Sequence, residues 1–537
     1  MTSLGTRATD PSANEAAERL PRSTARPLGK SARVALLAAV AACAACGLIY
    51  ELALLTLATS LVGGGITQIS VVIAGYVAAL GLGALAAKPL LTRAAAAFVA
   101  VEVALGILGG LSAAALYVSF SFIGVSTAVL VAATFVLGLL VGAEVPLLMT
   151  LLQSGRVTSA AGTGSVLANL NAADYLGALA GGLAWPFVLL PWAGMIRGAA
   201  ITGMINLLAA AVVALILLRS QLSVRARIVA AGSLLAAAAT LGYLLAASAE
   251  IETTSRQRLY SDPIVAVRLS VYQEIVITER NNDKRLFLDG DLQFSSADEH
   301  RYTESLVYPA LSRTPESVLI LGGGDGLAAR EVLKIPSVRQ ITQVELDPAM
   351  IEMANTELVD LNDRSLADPR VLVVIEDAMT WLRNHAAEGL DGFDAVVVDL
   401  PDPDTPALGR LYSLEFFGLA KGALNPDGLL VVQSGSPYST PDAYWRTVST
   451  VEAAGLAVTP YHVFVPSFGD WGYTLAQQGT TPPALQIPVA APELRFLDQA
   501  VLDGATAFPR DRAPRHLEAS TLEHPRIVED MRRGYQR

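Results

Sequence analysis

Apolar and polar positions divide the chain into two regimes. Before about residue 250, windows of roughly twenty uncharged residues recur, each long enough to cross a hydrocarbon core of about 30 Å as a helix. They stand near residues 34–57, 66–87, 97–118, 125–152, 166–190, 198–218 and 228–247, which predicts seven spans. The fifth is the weakest, because Asn169, Asn171 and Asp174 interrupt it. From residue 316 onward, short apolar runs alternate with helix-forming stretches, the pattern of a doubly wound α/β sheet. In between, Val271–Thr278 and Arg285–Leu288 alternate in strand fashion around Asn281, Asn282 and Asp283, which predicts a small antiparallel cap.

The expected organisation is therefore a tail over residues 1–31, a multi-pass membrane bundle over 32–248, a β-rich cap over 249–310, a Rossmann-like domain over 311–480 and an extension over 481–537. The tail is rich in Ala, Ser, Thr and Arg with no early apolar run, so it reads as disordered and not as a cleaved signal. With 53% hydrophobic and 16% charged residues in 537, the composition excludes an ordinary soluble protein. A net charge of −11 argues against a nucleic-acid surface and suits a cationic small molecule. Cys43 and Cys46 lie inside the first apolar window, where burial favours packing over metal or redox chemistry, and no metal site is expected. Glu51, Glu102, Glu144 and Asp174 stand in or near apolar windows, where acids are costly; they read either as functional groups or as interhelical hydrogen-bond partners.

Chemistry concentrates at strand ends in the second half. The apolar run Val318–Leu321 leads into Gly322, Gly323, Gly324, Asp325 and Gly326, directly ahead of a helix-forming stretch. Such a turn brings backbone close to a ligand at the carboxyl edge of a parallel sheet, and predicts an adenosyl group there. Glu345 follows at about the twenty-residue spacing of a ribose-binding acid. Asp377 ends the next strand and is expected beside the adenine; Asp399 and Asp402 end a fourth. Each has a plainer alternative. Asp325 and Asp377 also suit helix caps, and Glu345 or Asp399 a solvated strand end.

In series, Tyr272-Gln273, Leu288-Asp289-Gly290, Gln293, Asp298-Glu299, Tyr302, the glycine turn, Val344–Asp347 and Asp399–Pro403 resemble the spermidine synthase, or polyamine aminopropyltransferase, family, and the apolar half resembles its membrane-embedded bacterial form. The resemblance implies transfer of an aminopropyl group from decarboxylated S-adenosylmethionine to a di- or polyamine, most simply putrescine to spermidine, with release of methylthioadenosine. It implies Asp399 as general base, Asp402 at the attacking amine, and Asp325 at the aminopropyl ammonium or the far end of the acceptor. Gln273, Glu345, Asp377, Ala378 and Pro406 correspond to nucleoside-contacting positions, and Tyr302 to the amine channel, with Thr303 beside it and Trp471 at its rim or merely packed. Leu400 and Pro401 replace the small polar residues usual between the two acids, Thr303 replaces His or Gln, and Val465 replaces Tyr, so the departures fall on the acceptor side and leave the cofactor side intact. A homo-oligomer stays open.

Two rival readings are an S-adenosylmethionine-dependent methyltransferase and a polyamine transporter or sensor with a binding-only C-terminal domain. Asp325 speaks against the first, because it would repel a methionine carboxylate. Sidedness divides the arguments. With seven spans, Lys30, Arg33, Lys88, Arg93, Arg156, Arg219, Arg225 and Arg227 share one side, cytoplasmic by the positive-inside rule, which leaves the C-terminal half outside. A donor made in the cytoplasm argues the reverse.

Overall fold

The structure, a computed structural model, describes residues 30–62, 66–124, 126–153 and 160–535. All but the last two residues of the expected tail lie outside these, as does Arg156. The chain divides into two compact units between Leu259 and Tyr260.

The first unit is helical: α1 (Lys30–Val62), α2 (Ile66–Ala86), α3 (Ala94–Val118), α4 (Ser126–Gln153), α5 (Ala160–Ala184), α6 (Leu190–Val212) and α7 (Val224–Leu259). Among the described residues, six helical runs are long and apolar enough to cross a membrane, where seven windows were expected. The difference lies in one run, Leu167–Leu217, whose 51 residues join the fifth and sixth windows. It is not one straight rod, because Gly194 leaves helical geometry at φ 73° and ψ −173°. Gly177 and Gly181 of α5 seat against the carbonyls of Ala41 and Ala45, so α5 runs parallel to α1. After the break, Gly203 meets Gly106 and Gly110 while Asn206 reaches Glu102, so α6 runs antiparallel to α3. Small residues at these crossings let backbones approach closely, the usual basis of helix association in lipid.

The second unit holds two sheets. β1 (Ile264–Leu269), β2 (Glu274–Arg280), β3 (Asp283–Leu288) and β4 (Asp291–Ser295) form an antiparallel sheet in sequence order. Its β2–β3 turn uses Asn281 and Asn282 at φ 52° and 68°, a left-handed geometry that asparagine tolerates. β5 (Ser317–Gly322), β6 (Gln340–Glu345), β7 (Val371–Ile375), β8 (Phe393–Asp399), β9 (Leu424–Gly435), β10 (Leu456–Val465) and β11 (Gly469–Gln478) form the larger sheet in the order β10-β11-β9-β8-β5-β6-β7. β5 to β9 run parallel, and β10 and β11 close one edge antiparallel. Alternate residues of β5 feed separate cores on the two faces, Val318 and Ile320 on one and Leu319 and Leu321 on the other. Burial on both faces explains why these strands read as continuous apolar runs. From β5 the chain proceeds outward to β6 and β7, then returns to β8 on the other side of β5. That reversal opens a crevice at the carboxyl ends of β5 and β8.

Candidate active site

Gly322 and Asp399 are register partners at that crevice. Gly322, Gly323 and Gly326 have φ of 82°, 61° and 83°, a left-handed path that residues with side chains rarely follow. A Cβ on Gly322 would stand 2.1 Å from the Asp399 carbonyl, so no other residue fits there, and one on Gly324 would stand 2.5 Å from Glu345 Oε2 and push that carboxylate aside. The turn is braced from beneath. Gln343 Nε2 donates to the Gly322 carbonyl at 3.2 Å, Asn362 to that of Asp325 at 2.9 Å and Ser365 to that of Gly326 at 2.7 Å.

Three carboxylates gather here. The Tyr302 hydroxyl donates to Asp399 Oδ1 at 2.6 Å, and the Tyr302 ring is set by Phe468 and Tyr473, whose centroids lie 6.0 and 5.7 Å away. Burial pushes the Asp399 carboxyl up to about 6, against the lowering effect of the Tyr302 bond. Asp325 is raised by burial and then by the neighbouring Asp399 charge, to about 7; the Leu327 N–H, 2.8 Å from its Oδ1, pulls the other way. Asp325 thus accepts from the first N–H of the following helix through one oxygen while its charge acts on Asp399. Asp402 is raised by burial and accepts from Gln433 at 3.2 Å and Tyr535 at 2.7 Å. Between Asp399 and Asp402, the carbonyls of Leu400 and Pro401 both accept from the Tyr412 hydroxyl at 3.1 Å, which fixes the spacing of the two acids despite their apolar linker.

On the other side of the turn, burial raises Glu345 to about 7, opposed by its bond from the Asp347 N–H at 2.9 Å. Gln273 reaches the Asp347 carboxylate at 3.1 Å, tying the antiparallel sheet to the end of β6. Ala378 is buried at the head of its helix, and Pro406 is exposed at the head of another.

Two expected residues are engaged differently. The Thr303 hydroxyl bonds Glu299, at 2.9 Å to its carbonyl and 3.2 Å to its carboxylate, so it braces its own helix and is not presented beside Tyr302 for a ligand. Asp377 caps its helix through the Thr380 N–H at 3.0 Å and pairs with Arg410; burial alone would raise it, but these partners hold it below the ordinary carboxylate range.

Other site residues carry no local sequence signal. Tyr535, on the C-terminal helix Arg526–Tyr535, reaches Asp402 across 133 residues of chain, and Arg532 donates to the Asp404 carbonyl at 2.8 Å. Asp291, on β4, is raised to about 6 by burial and by the charges of Asp404, Asp402 and Asp289, which extends the acidic lining beyond Asp402. Trp471 lies against Phe468 with centroids 4.9 Å apart and its indole N–H buried without a partner. Among the described residues no group of three or more His, Cys, Asp or Glu is arranged to hold a metal ion.

The arrangement offers a glycine-turn edge with one buried acid, Glu345, then a set of desolvated carboxylates beside aromatic rings. That set suits a ligand carrying several positive charges. The spermine/spermidine synthase domain family matches residues 299–486. The chain is 64% identical over 506 residues to the polyamine aminopropyltransferase of Mycobacterium tuberculosis (strain ATCC 25618 / H37Rv), covering 94% of this chain and 97% of that one. It is 48% identical over 509 residues to polyamine aminopropyltransferase 1 of Streptomyces coelicolor, covering 93% and 94%. A solved spermidine synthase in complex with the transition state analogue AdoDATO is 27% identical, covers 46% of this chain and 86% of its own, and superposes with a TM-score of 0.43.

Proposed function

The chain belongs to the polyamine aminopropyltransferase family, whose co-substrate is decarboxylated S-adenosylmethionine, and we propose that its acceptor is putrescine, with Asp399 as general base and the protein embedded multi-pass in the cell membrane. The observation that carries the assignment of roles is the Tyr302–Asp399 bond, flanked by Asp325 and Asp402 at the β5–β8 crevice.

In the proposed reaction, an ammonium nitrogen has no lone pair, so it first passes a proton to the Asp399 carboxylate. The freed nitrogen then attacks the aminopropyl carbon next to sulfur. A C–N bond forms, the C–S bond breaks, and its electron pair neutralises the sulfonium to give methylthioadenosine. Tyr302 holds Asp399 in place through a hydrogen bond that the carboxylate accepts in its basic form. Asp402 holds the attacking amine region, the acids beyond it the far ammonium of the acceptor, and Asp325 the ammonium of the transferred group. Glu345 accepts from the ribose hydroxyls, and Gln273, Asp377, Ala378 and Pro406 flank the nucleoside. Tyr302 and Trp471 line the amine channel, where their ring faces favour cations.

A panel of diamines and polyamines offered to the full-length protein, with products identified by mass, tests the acceptor. Putrescine is expected to give spermidine with the highest kcat/KM. A higher value for spermidine or for a longer diamine would remove putrescine from the assignment.

Two further outcomes follow. Because the base works deprotonated and Asp399 is raised to about 6, turnover should fall as pH drops through that value. A rate that is flat between pH 5 and 9 counts against base catalysis, and a limb at the ordinary aspartate value of about 4 counts against a desolvated base. Tyr535→Phe removes one of the two donors to Asp402. The KM for the amine should rise by about tenfold or more, the scale of a bond to a charged group, with little change in the KM for the donor. Equal changes in both would mean that the C-terminal helix acts on the whole site and not on the amine end.

A further inference from the structure

The amine end of the site is bounded by a helix from the far end of the chain. This C-terminal helix, Arg526–Tyr535, is firmly seated. Its Asp530 is buried and pairs with Arg446 of the helix Pro441–Ala453 and with Arg533. A Cβ on Gly534 would stand 2.5 Å from Thr440 Cγ2, and one on Gly409 2.5 Å from Val528 Cγ2, so both crossings are close. Met531 and Asp402 flank one place at the end of β9, where a Cβ on Gly435 would stand 3.5 Å from Met531 Cε and 3.7 Å from Asp402 Oδ1. Packing this close fixes where the side chains of the helix stand.

Two of them meet the loop after β8. The Tyr535 hydroxyl donates to Asp402 Oδ2 at 2.7 Å, and Arg532 Nε donates to the Asp404 carbonyl at 2.8 Å. Residues three apart share one face of a helix, so the phenol and the guanidinium stand side by side along the acids. Outward from the end of β8 the order is Asp399, Asp402, Asp404 and then Arg532. A row of acids thus ends in a cation. Its bond goes to a carbonyl and not to a carboxylate, and among the described residues Arg532 enters no ion pair, so its charge is not neutralised locally. Burial raises the Asp404 carboxyl while the Arg532 charge draws it down, so the two groups act on each other.

We propose that Arg532 is a specificity-determining residue, which admits acceptors with two ammonium groups and turns away those that carry a third at the distal end. The proposal rests on the reading of Asp399 and Asp402 as the amine site. A diamine places one nitrogen at Asp399 and its other ammonium among the acids beyond Asp402, where it meets only attraction. A triamine of the spermidine type extends past them, and its terminal ammonium comes up to the guanidinium. Like charges at a half-buried site repel, and exclusion of a wrong ligand by repulsion is a general basis of specificity. The seating of the helix matters for this role, because a guanidinium free to swing away would exclude nothing. The triamine made from a diamine does not meet the cation, since its new aminopropyl group is attached on the Asp325 side.

Two acceptors of equal length separate charge from size: spermidine, and N-butylputrescine, in which a methyl group stands where spermidine has its terminal ammonium. Full-length protein in detergent, supplied with decarboxylated S-adenosylmethionine, is offered each of them and putrescine, and kcat/KM is compared. The wild-type protein should use N-butylputrescine better than spermidine by about tenfold, the scale of one repulsive pair of half-buried charges. Arg532→Gln keeps a donor for the Asp404 carbonyl and removes the charge, so the gap should close; Arg532→Lys keeps the charge, so the gap should persist. Calorimetric binding of methylthioadenosine verifies that each variant is folded, and if Arg532→Gln is not, the wild-type comparison decides. Equal use of the two longer acceptors by the wild-type protein overturns the proposal. So does a gap that Arg532→Gln retains while both rates fall together, because Arg532 would then be a structural brace. If putrescine is the preferred acceptor and either of these results is found, Arg532 alone is wrong; if spermidine is preferred to putrescine, the acceptor assignment fails with it.

Discussion

Asp399→Asn lowers turnover by about two to four orders of magnitude, the scale of losing a general base, while affinity for the nucleoside product stays near wild type. The substitution is nearly isosteric, and an amide oxygen at this position still accepts from Tyr302, so the ring and the β8 terminus keep their places. What is lost is the ability to take the proton of the attacking ammonium. Separate measurement of methylthioadenosine binding and of transfer distinguishes the two effects. A variant that retains full turnover removes Asp399 from the chemistry; one that loses nucleoside binding as well makes it a structural residue of the turn it shares with Gly322 and Gly323.

Asp325→Asn narrows the preference for decarboxylated S-adenosylmethionine over S-adenosylmethionine by about tenfold or more, equivalent to ~1.4 kcal/mol or above. The carboxylate is buried beside another negative charge, and an ammonium of the donor relieves that repulsion whereas a donor carboxylate adds to it. Asparagine still accepts from the Leu327 N–H, so the helix start survives and the change reports on charge. Calorimetric titration of both compounds against both proteins gives the ratio directly. An unchanged ratio would assign donor selection to another group.

Much of this site is legible in the sequence because its parts are local. A strand end, a glycine turn and an acid occupy adjacent positions, and Gly322 is constrained by its contact with the Asp399 backbone while Gly324 lies against the Glu345 side chain. The apolar windows were readable for a similar reason, since length and hydropathy alone define a span. What escaped depends on tertiary neighbours. Tyr535 and Gln433 reach Asp402 from remote elements, and neither stands in a motif. Arg410 engages Asp377 from 33 residues away, and the partner of Thr303 follows from the pairing of Glu299 with Arg330 across two helices. The fold within the Leu167–Leu217 run turns on the backbone of Gly194, which looks like any other glycine of an apolar helix until its φ is known.

The most direct test of the account is the fate of the donor. Full-length protein in detergent is given putrescine with either decarboxylated S-adenosylmethionine or S-adenosylmethionine, and the nucleoside and amine products are quantified together. Aminopropyl transfer at the Asp399 site predicts methylthioadenosine and spermidine in equal amounts from the decarboxylated donor alone, and neither product when Asp399 is replaced by Asn. S-adenosylhomocysteine with a methylated amine, or methylthioadenosine formed in the Asp399→Asn protein at the wild-type rate, would contradict it.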